Sequence, residues 1–123
     1  MIAVIFEVRP AGDQRSTYLD LAGQLHHRLA DIDGFLSIER FESLSRPGKL
    51  LSLSFWRDEQ AIMAWRNSPE HRAAQQAGRN GVFADYRLRI AGVVRDYGMT
   101  ERDEAPSDSR NFHGDNAARH MQE

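Results

Sequence analysis

A chain of 123 residues, 28% charged and 41% apolar, is long enough for one globular domain with its own core. Its formal net charge of -2 supplies no concentrated basic field, so neither nucleic acid nor a membrane surface is expected as a partner. The absence of cysteine removes disulfides, thiolate catalysis and Cys-ligated zinc or iron–sulfur centres.

The first run, MIAVIFEVRP, has no basic n-region and no small-residue cleavage site, and no stretch reaches the ~18 apolar residues of a membrane span. A cytoplasmic protein is expected. Residues 2–9 alternate as a strand, with Ile2, Val4, Phe6 and Val8 on one face and Ala3, Ile5, Glu7 and Arg9 on the other. From Gln14 to about Ile32 the period lengthens: Tyr18, Leu21, Ala22, Leu25, Leu29 and Ile32 form one stripe of an amphipathic helix, stopped by Asp33-Gly34. His26 and His27 fall near its polar face and read as solvated side chains.

Residues 35–44 alternate again, but with mixed faces. Leu36, Ile38, Arg40, Glu42 and Leu44 share one side; Phe35, Ser37, Glu39, Phe41 and Ser43 share the other. Ser45-Arg46-Pro47-Gly48-Lys49 is a hairpin turn, and Leu50 to Trp56 returns. Asp58 caps a short helix that contains Ala61, Ile62 and Trp65. Ser68-Pro69-Glu70 then restarts a second helix carrying His71, Ala74 and Gln75, with Gly78 and Gly81 bracketing its end. Phe83-Ala84-Asp85 leads into a last strand, Tyr86 to Val94. Residues 100–123 are polar, with Phe112 and Met121 the only large apolar side chains. They read as a tail, mobile alone or packed on a partner subunit through Phe112.

The order β-α-β-β-α-β, with the second α broken in two, is the α+β ferredoxin-like arrangement: an antiparallel sheet with helices on one face. The sheet's second face still carries apolar residues. Two copies packing sheet to sheet would cover it, so a homodimeric α+β barrel is expected. The helix–sheet gap is the natural pocket for a small hydrophobic or aromatic ligand. Trp65, His71, Gln75, Phe6, Phe55 and Tyr86 are its expected lining, with Arg72 and Arg79 at its edge. His71 sits in the first turn of its helix, where the positive dipole end disfavours imidazolium and keeps the ring able to accept a proton. No group of residues has metal-ligand spacing, and His113 and His120 lack organised partners.

The strand Ile2 to Val8, Gly34-Phe35, Ser54-Phe55-Trp56-Arg57-Asp58, Ala64-Trp65, His71-Arg72 and the strand Tyr86 to Val94 together resemble the antibiotic biosynthesis monooxygenase family. The resemblance covers roughly residues 1–97. It divides the chain into an ABM-like domain, 1–99, and a tail, 100–123. It implies oxygenation without a cofactor, on a small aromatic or polycyclic phenolic or quinone-type substrate. His71 would be the base, Trp65 and Tyr86 would pack or hydrogen-bond, and Phe6, Phe55, Arg72, Gln75 and Arg79 would contact substrate. Haem-degrading monooxygenases of the same superfamily are the alternative enzyme reading. At the position of their axial histidine this chain has Gln75, a poor haem ligand, and their strand-1 asparagine falls at Phe6 or Glu7. A non-catalytic dimer that binds a small hydrophobic ligand would use the same pocket without a base.

Overall fold

A computed structural model describes residues 1–114. The described residues divide into two compact units, one of residues 1–92 and one that begins at Val93. The first unit contains β1 (Ile2–Pro10), α1 (Arg15–Leu29), β2 (Phe35–Glu42), β3 (Leu50–Trp56), α2 (Glu59–Arg66), α3 (Pro69–Ala77) and β4 (Phe83–Gly92). The four strands form one sheet in the order β2-β3-β1-β4, each neighbouring pair antiparallel. This is the ferredoxin-like α+β arrangement that the periodicity predicts.

Several boundaries differ from the sequence expectation, among them the end of β2, at Glu42 rather than Leu44. The helix α1 stops at Leu29, because the chain leaves the helix through short turns in which the Ile32 amide donates to the Leu29 carbonyl (3.0 Å). The last strand starts three residues early, at Phe83. A register shift between Arg9 and Pro10 lets the β1–β4 ladder continue to a Pro10–Phe83 pair. It ends at Gly92 rather than Val94, because Gly92 pairs with Ile2, the first residue of β1. In the second unit, where a polar tail is expected, residues Ser107–His113 form a helix, α4. The Arg110 guanidinium donates to the Arg102 carbonyl (2.7 and 3.0 Å), and Arg102 lies over the Tyr97 ring (5.1 Å). Phe112 is 84% exposed. His120 and Met121 lie outside the described residues.

Two buried clusters hold the helices on the sheet. Leu29, Trp56, Ala61, Ile62 and Trp65 form one; Val8, Tyr18, Ala22 and Leu50 form the other. The sheet register separates them, since Ile2 pairs with Trp56 at one end of β1 and Val8 pairs with Leu50 at the other. The core is therefore two pillars, with the middle of β1 and β3 between them.

Local chemistry fixes the helix starts. Asp58 accepts from the Ala61 amide (3.0 Å) and caps α2, while Ser68 accepts from the His71 amide (3.3 Å) and caps α3, with Pro69 at the first helical position. The Arg57 guanidinium bridges Asp33 (3.1 Å to each oxygen) and Asp58 (3.1 Å), tying the α1–β2 turn to the start of α2. Gly34 lies inside this turn at φ +93°, and a Cβ there would come within 2.7 Å of the Ala61 methyl. Gly78 closes α3 with ordinary helical φ and ψ. It is required for space, because a Cβ would come within 2.3 Å of the Phe83 ring.

Two identical substitutions should therefore have opposite signs. Gly78→Ala overpacks the Phe83 contact and should destabilise by about 1–3 kcal/mol. Gly23→Ala, on an open surface of α1, should stabilise by up to ~1 kcal/mol. Urea denaturation of both variants checks the contrast; equal effects would contradict the packing at Gly78.

Candidate functional site

A cavity of about 380 Å³ fills the space between the two pillars, bounded by the helix-facing side of the sheet and by α1, α2 and α3. Its floor is Val4 and Phe6 from β1, Ser52, Ser54 and Trp56 from β3, Ile38 and Arg40 from β2, and Leu88 and Ile90 from β4. Its roof is the α1 stripe of Tyr18, Leu21, Ala22, Leu25 and Leu29, together with Trp65, His71, Ala74 and Gln75. The serines create the space. Ser52 stands opposite Phe6, and Ser54 opposite Val4, at buried positions where branched side chains would meet the helices. The Trp56 indole N–H donates to Ser54 Oγ (2.9 Å), which satisfies both groups inside an otherwise apolar wall.

The structure brings Phe6, Trp65, His71, Gln75, Arg79 and Tyr86 together around this cavity. Phe55 is not among the lining residues. Strand alternation places Ser52, Ser54 and Trp56 toward the helices, so Leu51, Leu53 and Phe55 project to the other face of the sheet. Trp56 takes the place expected of Phe55. Arg72 also lies outside the lining, because its guanidinium donates to Asn67 Oδ1 across the turn between α2 and α3.

The His71 ring packs against Trp65, with centroids 5.0 Å apart and planes tilted by 42°. Its Nδ1 lies 3.5 Å from the Arg66 carbonyl oxygen. A carbonyl only accepts, so in this contact Nδ1 carries the hydrogen and Nε2 is the unprotonated nitrogen. Burial holds the imidazole pKa below its ordinary value of 6.5. The Arg66 carbonyl opposes the shift, and the charges of Arg72 and Arg66 add to it. The result is a neutral histidine at the cavity wall. Elsewhere in the lining, Tyr86 accepts a long hydrogen bond from Arg79 Nη1 (3.4 Å), and Phe6, Phe83 and Tyr86 form an aromatic group with centroids 5.7–5.9 Å apart.

Five polar residues of the lining, Tyr18, Arg40, Ser52, Ser54 and Arg66, escape the sequence reading. Tyr18 is 5% exposed, and burial raises its phenol pKa despite the charge of Arg40 and a side-chain hydrogen bond with it. Arg40 has its Nε sealed from solvent and without a hydrogen-bond acceptor. The mixed alternation of residues 35–44 hid it, because an arginine on a strand apolar on neither face reads as solvated. The signal available was its place on the Ile38 side of that alternation. Among the described residues there is no grouping of three or more His, Asp or Glu that could hold a metal ion, and no helix is long and apolar enough to cross a membrane.

Residues 1–77 match the protein family described as antibiotic biosynthesis monooxygenase. The chain is 54% identical over 94 residues to a protein of Pyricularia oryzae named a jasmonate monooxygenase. The match takes in 76% of this chain and 44% of the relative, so the chain spans less than half of that relative's length. It is also 34% identical over 94 residues to the uncharacterised protein YqjZ of Bacillus subtilis, covering 76% of this chain and 79% of YqjZ. Among solved structures, Rv0793 of Mycobacterium tuberculosis superposes with a TM-score of 0.71 at 21% identity, over 79% of this chain and 98% of that one. SnoaB, a cofactor-independent oxygenase from Streptomyces nogalater, superposes at 0.67 and 10% identity, over 77% and 94%. At these identities the superpositions establish the fold.

The depressed His71 pKa has a thermodynamic consequence. The unfolded chain binds a proton at the ordinary histidine pKa, whereas the folded chain takes it up only at lower pH. Between those two values stability falls as pH falls. Thermal melts from pH 8 to pH 5 should show wild type losing stability from about pH 6.5 downward. His71→Gln should lose less over the same range. Parallel curves for the two proteins would remove the buried neutral imidazole.

Proposed function

The chain belongs to the antibiotic biosynthesis monooxygenase family, and from that premise we propose that it oxygenates a small, largely apolar ring compound with O₂, without a cofactor and with His71 as the base. The observation that carries this reading is the neutral imidazole at the cavity wall. Its Nδ1 is occupied by the Arg66 carbonyl, and its Nε2 is able to take a proton. The substrate class is one with an acidic proton on a phenol or beside a ring carbonyl. His71 removes that proton, and the electron-rich anion reacts with O₂ at carbon. For an activated methylene the balance is R₂CH₂ + O₂ → R₂C=O + H₂O. One oxygen atom enters the substrate, the other leaves as water, and all four electrons come from the carbon that is oxidised.

The Pyricularia relative is named a jasmonate monooxygenase, which supports a jasmonate-like compound as one member of the class. The volume of about 380 Å³ lies near the lower end of the usual ligand-pocket range of ~300–1,000 Å³ and favours a one- or two-ring substrate over a polycyclic one. Trp65, which is 9% exposed, and Phe6 supply apolar walls, and Tyr86 adds a hydroxyl to the lining. Gln75 lines the cavity where haem chemistry would want an imidazole, and its amide favours the cofactor-free reading. The working assembly is a homodimer that joins two sheets through the faces turned away from the helices, where Ile5, Leu51, Leu53 and Phe55 project.

Oxygen consumption with a panel of hydroquinones, anthrones and cyclic β-diketones tests the chemistry. Wild type should consume O₂, and His71→Ala should be slower by roughly 10²-fold or more. No uptake across the panel, or uptake unchanged in His71→Ala, would refute the role of His71. Light scattering on the eluting protein should give twice the chain mass; a monomer mass would refute the dimer.

A further inference from the structure

Three buried hydroxyls line the cavity, those of Tyr18, Ser52 and Ser54. Ser54 accepts the Trp56 indole hydrogen. Tyr18 is placed differently, because its side chain hydrogen-bonds Arg40. A guanidinium only donates, so the phenol oxygen is the acceptor and the phenol hydrogen stays outside this bond. Among the described residues no acceptor takes that hydrogen. Burial outweighs the arginine charge, so the phenol keeps its proton at neutral pH. Tyr86 is a second phenol that accepts from an arginine, Arg79, but it is 42% exposed and water can take its hydrogen. Ser52, paired with Arg40 in the β2–β3 register, adds a hydroxyl to the same wall as Tyr18.

A buried O–H with no acceptor is costly unless a ligand satisfies it. An O–H whose oxygen accepts from a cation is also polarised, and it donates more strongly than an ordinary phenol. We propose that Tyr18 is the hydrogen-bond donor of this cavity: its O–H receives an uncharged carbonyl oxygen of the bound compound, and Arg40 is the positioning residue that holds and polarises it. This rests on the reading of the cavity as a substrate site. The Arg40 Nε is sealed from any ligand, so the arginine acts through the phenol it holds. His71 packs on Trp65, in one pillar, and Tyr18 belongs to the other. Base and donor therefore act on different parts of the substrate. The proton leaves for His71 Nε2 at one end, and Tyr18 fixes an oxygen at the other. Where the two positions are conjugated, the electron pair left by the proton moves through the ring onto that oxygen, and the phenol's hydrogen bond strengthens as the charge arrives.

Infrared spectroscopy of bound 1-tetralone, with tetralin as the analogue that lacks the carbonyl, tests the proposal on the full chain. In wild type the C=O stretch should lie below its frequency in an apolar solvent. Tyr18→Phe should return it to the apolar-solvent value and weaken tetralone binding roughly 3- to 10-fold, while tetralin binding stays unchanged. Arg40→Gln, which can still donate to the phenol but lacks the charge, should give an intermediate frequency, and it tests the same corner if Tyr18→Phe does not fold. A frequency unmoved by Tyr18→Phe, or equal weakening of tetralone and tetralin, would overturn the donor role of Tyr18 and leave the cavity standing as a ligand site. A frequency that rises in Tyr18→Phe and stays at the wild-type value in Arg40→Gln would overturn the part assigned to Arg40. Binding of neither compound to wild type would overturn both the proposal and the cavity reading on which it rests.

Discussion

The space between the helices and the sheet depends on two small side chains. A four-stranded antiparallel sheet covered by helices on one side ordinarily fills the interface with branched apolar residues. Here the central strand β3 turns Ser52 and Ser54 inward, and both are buried. The large residues lie at the ends instead: Val8 and Leu50 with Tyr18 at one, Trp56 and Leu29 with Trp65 at the other. These pillars set the distance of the helices from the sheet, and the serines cannot fill it. Cavity and stability are therefore separated along the same strands, and the chamber can be apolar without collapsing.

The histidine is the product of a second local constraint. The helix α2 ends at Arg66, and α3 begins at Pro69 under the Ser68 cap. That break leaves the Arg66 carbonyl pointing out of the finished helix, within reach of His71 Nδ1. A single continuous helix would have used the same carbonyl in its own backbone ladder. The restart thus fixes the tautomer, brings the ring against Trp65 and places it in a first helical turn. Burial and helix position act in the same direction, toward a neutral ring.

Most of the fold was legible because its elements have clean periods. The apolar alternation of residues 2–8, the Tyr18-to-Leu29 stripe and the Ser68-Pro69 signal each correspond to one observed element. The wall of the cavity was less legible where the pattern is inverted. On β3 the more apolar stripe, Leu51, Leu53 and Phe55, faces away from the helices, so hydrophobicity alone selects the wrong aromatic. On β2 both stripes are mixed, and nothing local marks Arg40 as inward. Its neighbours come from β3 and α1, far away in sequence: Ser52 pairs with it in the sheet register, and Tyr18 hydrogen-bonds its side chain. Arg72 failed as a site residue for the opposite reason. A nearby asparagine, Asn67, captures its guanidinium across a turn whose geometry no periodicity describes.

The electrostatics of the chamber bear on the proposed chemistry as a single trade-off. The charges of Arg66 and Arg72 contribute to lowering the His71 pKa, which makes the imidazole a weaker base. Each unit of that lowering removes about 1.4 kcal/mol of driving force for taking a proton. The same positive field favours the anion left on the substrate once the proton has gone, less strongly than a buried charge would, because both arginines are exposed. The two effects do not cancel in general. The imidazolium and the substrate anion sit at different distances from each guanidinium. A chamber that holds cations beside a neutral base is thus arranged for substrates whose conjugate anion spreads its charge toward the arginines. It penalises those whose anion stays localised against the histidine.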